Sequence, residues 1–386
     1  MTVLKRFLIC LALVLGVAAM ARAQDQAPFE SAAPQAILID AMSGLPFYEK
    51  DADKPVPPAS MSKLMTMAVV FEALKDGQVK LEQEFLVSEN AWRNGGAMSG
   101  GSTMYAELNS RVKLDDLIHG AIIQSANDAC MAIAEGMAGS EEAFVARMNA
   151  GAKALGLTHS TFRNATGLPD PQHLMSVRDL ATLARHIITT YPERYTIYRT
   201  PEFTWNKITQ ANRNPLLKDY PGADGMKTGY TREAGYGLVG SAERDGRRLI
   251  MVIAGLPSIA ARRAEAQKLL DWGFSQFRAV DVFAADERVT KVRVWGGVKN
   301  TVPVVSAQPF RLALSPKEQE SAELRLDYHG PLMAPVQKGQ AVGTIEVISG
   351  GHKLAEAPAV AGADVAADPS MWGRAWDSLL IMILGG

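Results

Sequence analysis

The sequence predicts an α+β fold, an antiparallel sheet flanked by helices, followed by a small all-β domain and an amphipathic tail helix. Strand-like runs stand near residue 40 and again between 225 and 254, with helical periodicity between them. One sheet therefore brings its first and last strands together under a cover of helices. In residues 281–357 helical periodicity gives way to period-two alternation, which marks the second domain.

In order along the chain, Lys5 and Arg6 precede an apolar run from Phe7 to Met20 that ends in Ala21-Arg22-Ala23. Residues 1–23 read as a secretory signal peptide, with the mature chain beginning near Gln24. Ala36-Ile37-Leu38-Ile39-Asp40, then Gly44 and Pro46-Phe47-Tyr48-Glu49, read as a hairpin. It leads into Pro58-Ala59-Ser60-Met61-Ser62-Lys63 and an apolar run through Leu74, a buried helix with Ser60 in its first turn. Residues 81–110, rich in Gly, Ser and Asn, read as irregular surface structure. Helical periodicity restarts at Leu114 and continues to Gln124; further helices fit 141–155 and 176–190, the latter with Ser176 as cap and Asp179 at its capping-box position. Strands follow at 225–230, 235–242 and 248–254, and a helix at 262–277 closes a domain of residues 24–279.

Alternation at 291–295, 302–305 and 341–347 defines a small β-sandwich-like domain of residues 280–357. Residues 358–369, rich in Ala, Pro and Asp, read as a linker. The tail, 370–386, holds an apolar helix with Trp372 and Trp376 one turn apart. At about 14 residues it falls short of the ~20 needed to span a bilayer. Set beyond a linker, it reads as an interfacial membrane anchor rather than a helix docked on the protein's own core.

With 386 residues, 47% hydrophobic and 21% charged, the chain is globular and long enough for more than one domain. A net charge of -1 makes no electrostatic case for nucleic acid. His119, His159, His173, His186, His329 and His352 show no H-E-x-x-H or other ligand spacing, which argues against a zinc peptidase; no metal or cofactor is expected. Cys10 lies in the leader, so Cys130 is left alone and the mature chain can form no intramolecular disulfide.

A serine hydroxyl is a poor nucleophile until a base takes its proton, and a lysine can be that base only if burial or a neighbouring cation lowers its pKa. Ser60 and Lys63, one helical turn apart, place an amine beside a hydroxyl. Taken alone the pair is more simply a helix cap and a solvated lysine, and Ser110-Arg111-Val112-Lys113 repeats the spacing. Two further patterns follow: Ser125-Ala126-Asn127, where an apolar helical run is interrupted, and Lys227-Thr228-Gly229 on a strand. Ser88-Glu89-Asn90 imitates the former, so the weight rests on order and context.

On these patterns, with Gln124-Ser125-Ala126-Asn127-Asp128-Ala129-Cys130, Asn212-Arg213-Asn214, Asp224-Gly225-Met226-Lys227-Thr228-Gly229 and Leu269-Leu270-Asp271-Trp272-Gly273-Phe274, the chain resembles a known family. It is similar to the low-molecular-mass penicillin-binding proteins, serine-type D-alanyl-D-alanine carboxypeptidases with the β-lactamase/transpeptidase-like fold, through nearly the whole mature chain. The resemblance implies a periplasmic enzyme, peripherally attached to the outer face of the inner membrane through its tail helix. Such an enzyme removes the terminal D-alanine from peptidoglycan stem pentapeptides and is acylated by β-lactams.

Carried onto this sequence, the resemblance implies that Ser60 forms an acyl-enzyme and Lys63 accepts its proton, with the charge of Lys227 helping to keep Lys63 neutral. Ser125 would relay a proton to the departing amine, and Asn127 would hold Lys63 and the substrate amide. Lys227 and Thr228 would bind the terminal carboxylate, and Gly229 would let the substrate lie along the strand. The backbone N–H groups of Ser60 and Tyr230 would form the oxyanion hole. Arg213 and Arg262 fall where the family places basic residues near the carboxylate pocket; plain surface salt bridges fit them as well. Tyr230 stands where relatives often carry histidine and Ala126 where glycine is frequent, and neither change removes a catalytic group.

A class A β-lactamase shares the three patterns but needs a glutamate between the second and third. Residues 156–176 contain none, so slow deacylation of penicillin is expected and β-lactamase is the lesser reading. Endopeptidase action on cross-links would use the same residues in a roomier pocket. A non-catalytic wall-binding protein would have no need of the full set of catalytic residue types.

Overall fold

The protein is described by a computed structural model covering residues 4–9 and 29–370. Most of the expected leader and, from residue 371 on, the expected tail helix lie outside the described residues. Leu4–Ile9 runs antiparallel to Glu323–His329. One compact unit is Pro28–Phe274, and another begins at Ser275.

The first unit is built on strands β1 (Gln35–Asp40), β2 (Pro46–Lys50), β3 (Ala223–Thr231), β4 (Gly235–Arg244) and β5 (Arg247–Leu256). They lie antiparallel in the order β2-β1-β5-β4-β3, so the first and last strands pair, Asp40 opposite Leu249 and Gln35 opposite Ala254. Every residue of β1 is buried, because alternate side chains serve different cores. Ile37, Ile39, Ile250 and Val252 pack with the central helices, while Ala36, Leu38, Leu249 and Met251 pack with Ala266, Leu269 and Leu270.

The central helix α1 (Lys63–Lys75) buries ten of its residues and so shows no polar face. Helix α2 (Leu114–His119) continues into a wide π turn, Gly120–Gln124, before α3 (Asn127–Ala138), α4 (Glu141–Ala154) and α5 (Val177–Thr190). On the other face of the sheet lies α6 (Ile259–Gln276). Ser176 caps α5 by accepting from Asp179 N at 3.1 Å. The Asp179 carboxylate instead accepts from His159 N at 2.8 Å and Ser160 Oγ at 2.7 Å, so it ties a loop rather than closing a capping box. Residues 81–110 are not all irregular either, since Glu84–Leu86 pairs with Arg111–Lys113.

The second unit is almost entirely β, with strands Arg288–Trp295, Thr301–Ser306, Glu323–His329, Ala341–Ser349 and His352–Ala361 in one sheet. The expected linker at 358–369 is overturned. Pro358 and Ala359 pair with Thr344 and Gly343, Ala359 and Ala361 are fully buried, and Val365 bridges to Val336. Composition made this stretch look like a spacer, but Ala357, Ala359 and Ala361 recur with period two and turn into the core as small strand residues. No helix among the described residues is long and apolar enough to cross a membrane.

Candidate active site

Ser60 sits in a 3-10 turn, Ala59–Ser62, that feeds directly into α1. Lys63, the first residue of α1, is 1% exposed. Its Nζ lies 3.0 Å from Ser60 Oγ, 2.7 Å from Asn127 Oδ1 and 2.5 Å from the Thr166 carbonyl. A neutral amine has two hydrogens and one lone pair. The amide oxygen and the carbonyl can only accept, so they take both hydrogens and leave the lone pair for the Ser60 O–H. Burial, helped by the charge of Arg213, pulls the Lys63 amine down from 10.5 to about 8.

Asn127 opens α3, and its backbone N–H donates to the Ser102 carbonyl at 2.8 Å. The neighbouring Asp128, fully buried, accepts from Thr103 Oγ1, Met104 N, Ala106 N and Ala129 N and so binds the 103–106 loop to the start of α3. Ser125, at φ 60 between the π turn and α3, accepts from Lys227 Nζ at 2.9 Å. The wide turn and that left-handed residue turn the hydroxyl into the pocket. Lys227 is 2% exposed and pushed well below the usual lysine range, first by burial and then by Lys63. Repulsion between two buried ammonium groups is mutual, so a charged Lys227 favours a neutral Lys63.

Lys227, Thr228 and Gly229 lie on β3, an edge strand of the sheet. A side chain at Gly229 would stand 2.8 Å from the Pro58 carbonyl oxygen and 3.0 Å from Met61 Cγ. The glycine therefore lets β3 press against the nucleophile's own turn, a different reason from the room for substrate expected above. Gly229→Ala should cost about 1–3 kcal/mol of stability and slow acylation, read as a lower melting temperature beside a lower acylation rate. An alanine variant matching the parent in both would show that the turn gives way freely.

A cavity of 780 Å³ opens over Ser60, lined among others by Ser125, Arg213, Thr228, Tyr230 and Arg262. Arg213 Nη1 donates to Ser102 Oγ, and its neighbours hold it there. Asn212 Nδ2 donates to the Tyr198 and Thr200 carbonyls, while Asn214 Nδ2 donates to the Gly225 carbonyl at 2.7 Å. Arg262, 6% exposed, reaches the Gly237 carbonyl at 3.4 Å and lies 5.6 Å from the Tyr236 ring, with its Nε unpartnered. The hydrogen-bond acceptors of both arginines are thus neutral oxygens, which leaves their charge facing the cavity. Tyr230, 54% exposed, stacks on Tyr236 with ring centroids 4.2 Å apart and forms the cavity's outer wall.

The imitating patterns stay outside. Ser110 Oγ donates to the Glu107 carbonyl in a turn, Lys113 is exposed, and Ser88 Oγ accepts from Ala91 N. Sequence reasoning missed the Thr166 carbonyl, Ser102 and Tyr236. The first had a faint signal: Asn164 Oδ1 collects the N–H groups of Thr166, Gly167 and Leu168, an Asx turn of the kind an Asn-x-Thr-Gly run favours.

A serine hydroxyl against a buried amine, beside a cationic cavity on a sheet edge, is the arrangement of a serine hydrolase. Residues 20–258 match the D-alanyl-D-alanine carboxypeptidase family, and residues 277–367 match the C-terminal domain of penicillin-binding protein 5. The chain is 39% identical over 348 residues to the D-alanyl-D-alanine carboxypeptidase DacC of Escherichia coli, covering 89% of this chain and 87% of that one. The solved structure of penicillin binding protein 5 from Haemophilus influenzae superposes with a TM-score of 0.80 at 36% identity, over 88% of this chain and 99% of that one. Penicillin-binding protein D2 of Listeria monocytogenes, in its ampicillin-bound form, matches with a TM-score of 0.56 at 30% identity, over 65% of this chain and 100% of that one. The chain belongs to the D-alanyl-D-alanine carboxypeptidases, serine-type peptidases with a mixed catalytic domain and an all-β C-terminal domain.

Proposed function

We propose that Ser60 carries the acyl group when this carboxypeptidase removes the terminal D-alanine from peptidoglycan stem pentapeptides, and that β-lactams acylate the same oxygen. The observation that carries the assignment is the 3.0 Å contact of Ser60 Oγ with a Lys63 amine whose other two contacts are acceptors. Lys63 takes the Ser60 proton as Oγ bonds to the penultimate carbonyl carbon, and the N–H groups of Ser60 and Tyr230 receive the oxyanion. As the peptide C–N bond breaks, a proton reaches the leaving amine through Ser125, and an ester on Ser60 remains. Water then attacks the ester with Lys63 again as base, and Ser60 recovers its proton. Asn127 holds Lys63 in line, while Lys227, Thr228, Arg213 and Arg262 bind the terminal carboxylate. The exposed edge of β3 accepts the peptide backbone as an added strand.

The leader at 1–23 and the apolar tail at 370–386 support a periplasmic enzyme attached peripherally to the outer face of the cytoplasmic membrane. The relatives from Escherichia coli and Haemophilus influenzae fit that compartment. The test of the nucleophile is intact mass over time after mixing the mature protein with benzylpenicillin, beside Ser60→Ala. A single persistent adduct that vanishes in the variant is expected. An adduct that survives the substitution would put the nucleophile elsewhere, and one that clears within seconds would point to β-lactamase chemistry.

A further inference from the structure

The last strand of the second unit leads directly into the apolar tail, with no spacer between them. After His352–Ala361 the chain stays paired, Val365 bridging to Val336 and Ala367 to Gly297. Val298 N donates to the Ala366 carbonyl at 2.9 Å and Asp368 N to the Gly296 carbonyl at 2.8 Å, so the backbone is held down as far as residue 368. Trp372, the first tryptophan of the tail, comes four residues later. At no more than about 3.6 Å per residue, it lies within ~14 Å of that last bond. A tail lying in a membrane interface therefore brings this end of the unit to the lipid as well.

The same end carries the apolar surface that such a contact needs. Among the described residues of 275–370, the large apolar side chains left exposed are Val298 at 58% and Met333 at 59%. The loop of Val298 lies against residues 366–368, and Met333 pairs with Trp295, just before that loop. Pro335, Ala366 and Ala367, in the same segments, are exposed too. Elsewhere the unit turns charge to solvent, as at Lys291, Arg293, Glu323 and Lys353. Lys299 and Lys338 at this end are matched by Asp364 and Asp368, so apolar groups rather than net charge select the occupant. A half-buried tryptophan beside exposed apolar loops suits the boundary between water and lipid. With the tail as the membrane anchor, the reading on which this rests, we propose that the tip centred on Val298 and Met333 dips into the lipid surface beside the tail. The β domain is then seated on the membrane and not held off on a tether. Tip and tail are joined by only a few residues, so once one is bound the other binds intramolecularly and each strengthens the other.

The test is the emission of a nitrobenzoxadiazole probe on the full mature chain, mixed with vesicles of phosphatidylethanolamine and phosphatidylglycerol. Cys130 is buried, so Val298→Cys, Met333→Cys and His352→Cys each take the label at the new position alone. His352 starts the strand whose far end, Ala361, leads to the tip, about 30 Å away at 3.3 Å per residue. Vesicles should blue-shift and brighten the probe at 298 and 333 and leave the one at 352 unchanged. Val298→Ser/Met333→Ser should bind the vesicles about tenfold more weakly and release D-alanine from a soluble peptide at the parent's rate. A chain that pellets with the vesicles while the probes at 298 and 333 keep their aqueous emission would overturn the proposal and leave the tail as sole anchor, as would a double variant that binds as tightly as the parent. Blue-shifted emission before vesicles are added would overturn it too, showing the tip covered by the tail or, where the shift grows with protein concentration, by a second copy. A chain that stays out of the pellet altogether removes the anchor reading, and the seating of the β domain with it.

Discussion

Lys63→Met is expected to lower kcat/KM for D-alanine release, and the rate of acylation by benzylpenicillin, by about a thousandfold, with the fold intact. Methionine fills the space of the buried stem but offers no lone pair to the Ser60 hydroxyl. Stability should change little because two terms oppose. In the folded chain the amine titrates at about 8 against 10.5 when exposed, so burying it costs about 3 kcal/mol at neutral pH. Removing it leaves Asn127 Oδ1 and the Thr166 carbonyl without a donor, at about 1–3 kcal/mol each. The unfolded chain binds the lysine proton more tightly, so Lys63 gives the parent a gain in stability between about pH 8 and 10.5 over and above that of the variant. Thermal melts at pH 7 and 10 read this directly. In the parent, log kcat/KM should climb with unit slope as Lys63 loses its proton and level off above about pH 8. A flat profile from pH 6 to 8, or a methionine variant acylated at the parent's rate, would remove Lys63 as the base.

The second large effect is expected at Lys227. Lys227→Ala should reduce kcat/KM for a peptide ending in a free carboxylate by about a hundredfold or more, because a buried charge-assisted contact is worth about 2–5 kcal/mol. Against the same peptide capped as an amide, the parent should be slow and the variant no slower. That comparison separates two jobs, since Lys227 also donates to Ser125 at 2.9 Å. If the alanine variant loses as much on the amide as on the acid, Lys227 serves the Ser125 proton path and the carboxylate rests on Thr228, Arg213 and Arg262. Carboxylate binding should also restore the charge that burial disfavours on Lys227, and through repulsion hold Lys63 neutral when substrate is present.

Much of this was written in local signals. Strand-like runs marked β1, β3, β4 and β5, an apolar run marked α1, helical patterns marked α2, α4, α5 and α6, and the order of Ser60, Ser125 and Lys227 on helix, break and strand pointed to one site. These patterns survive without a fold because each depends on neighbours within a turn or two of chain. Local composition also misled: alanines at 359 and 361 read as spacer until a partner strand covered them. Ser110 and Lys113 carry the same spacing as Ser60 and Lys63, and only burial separates a solvated pair from a reactive one. That burial comes from segments far apart in sequence, Asn127 at 64 residues and Thr166 at 103 residues from Lys63. Gly229 met the Pro58 carbonyl in the same way. The sequence by itself determined which groups were available and on which elements they stood; the tertiary structure decided which of them lost their water, and with it the charge states that make a lysine a base.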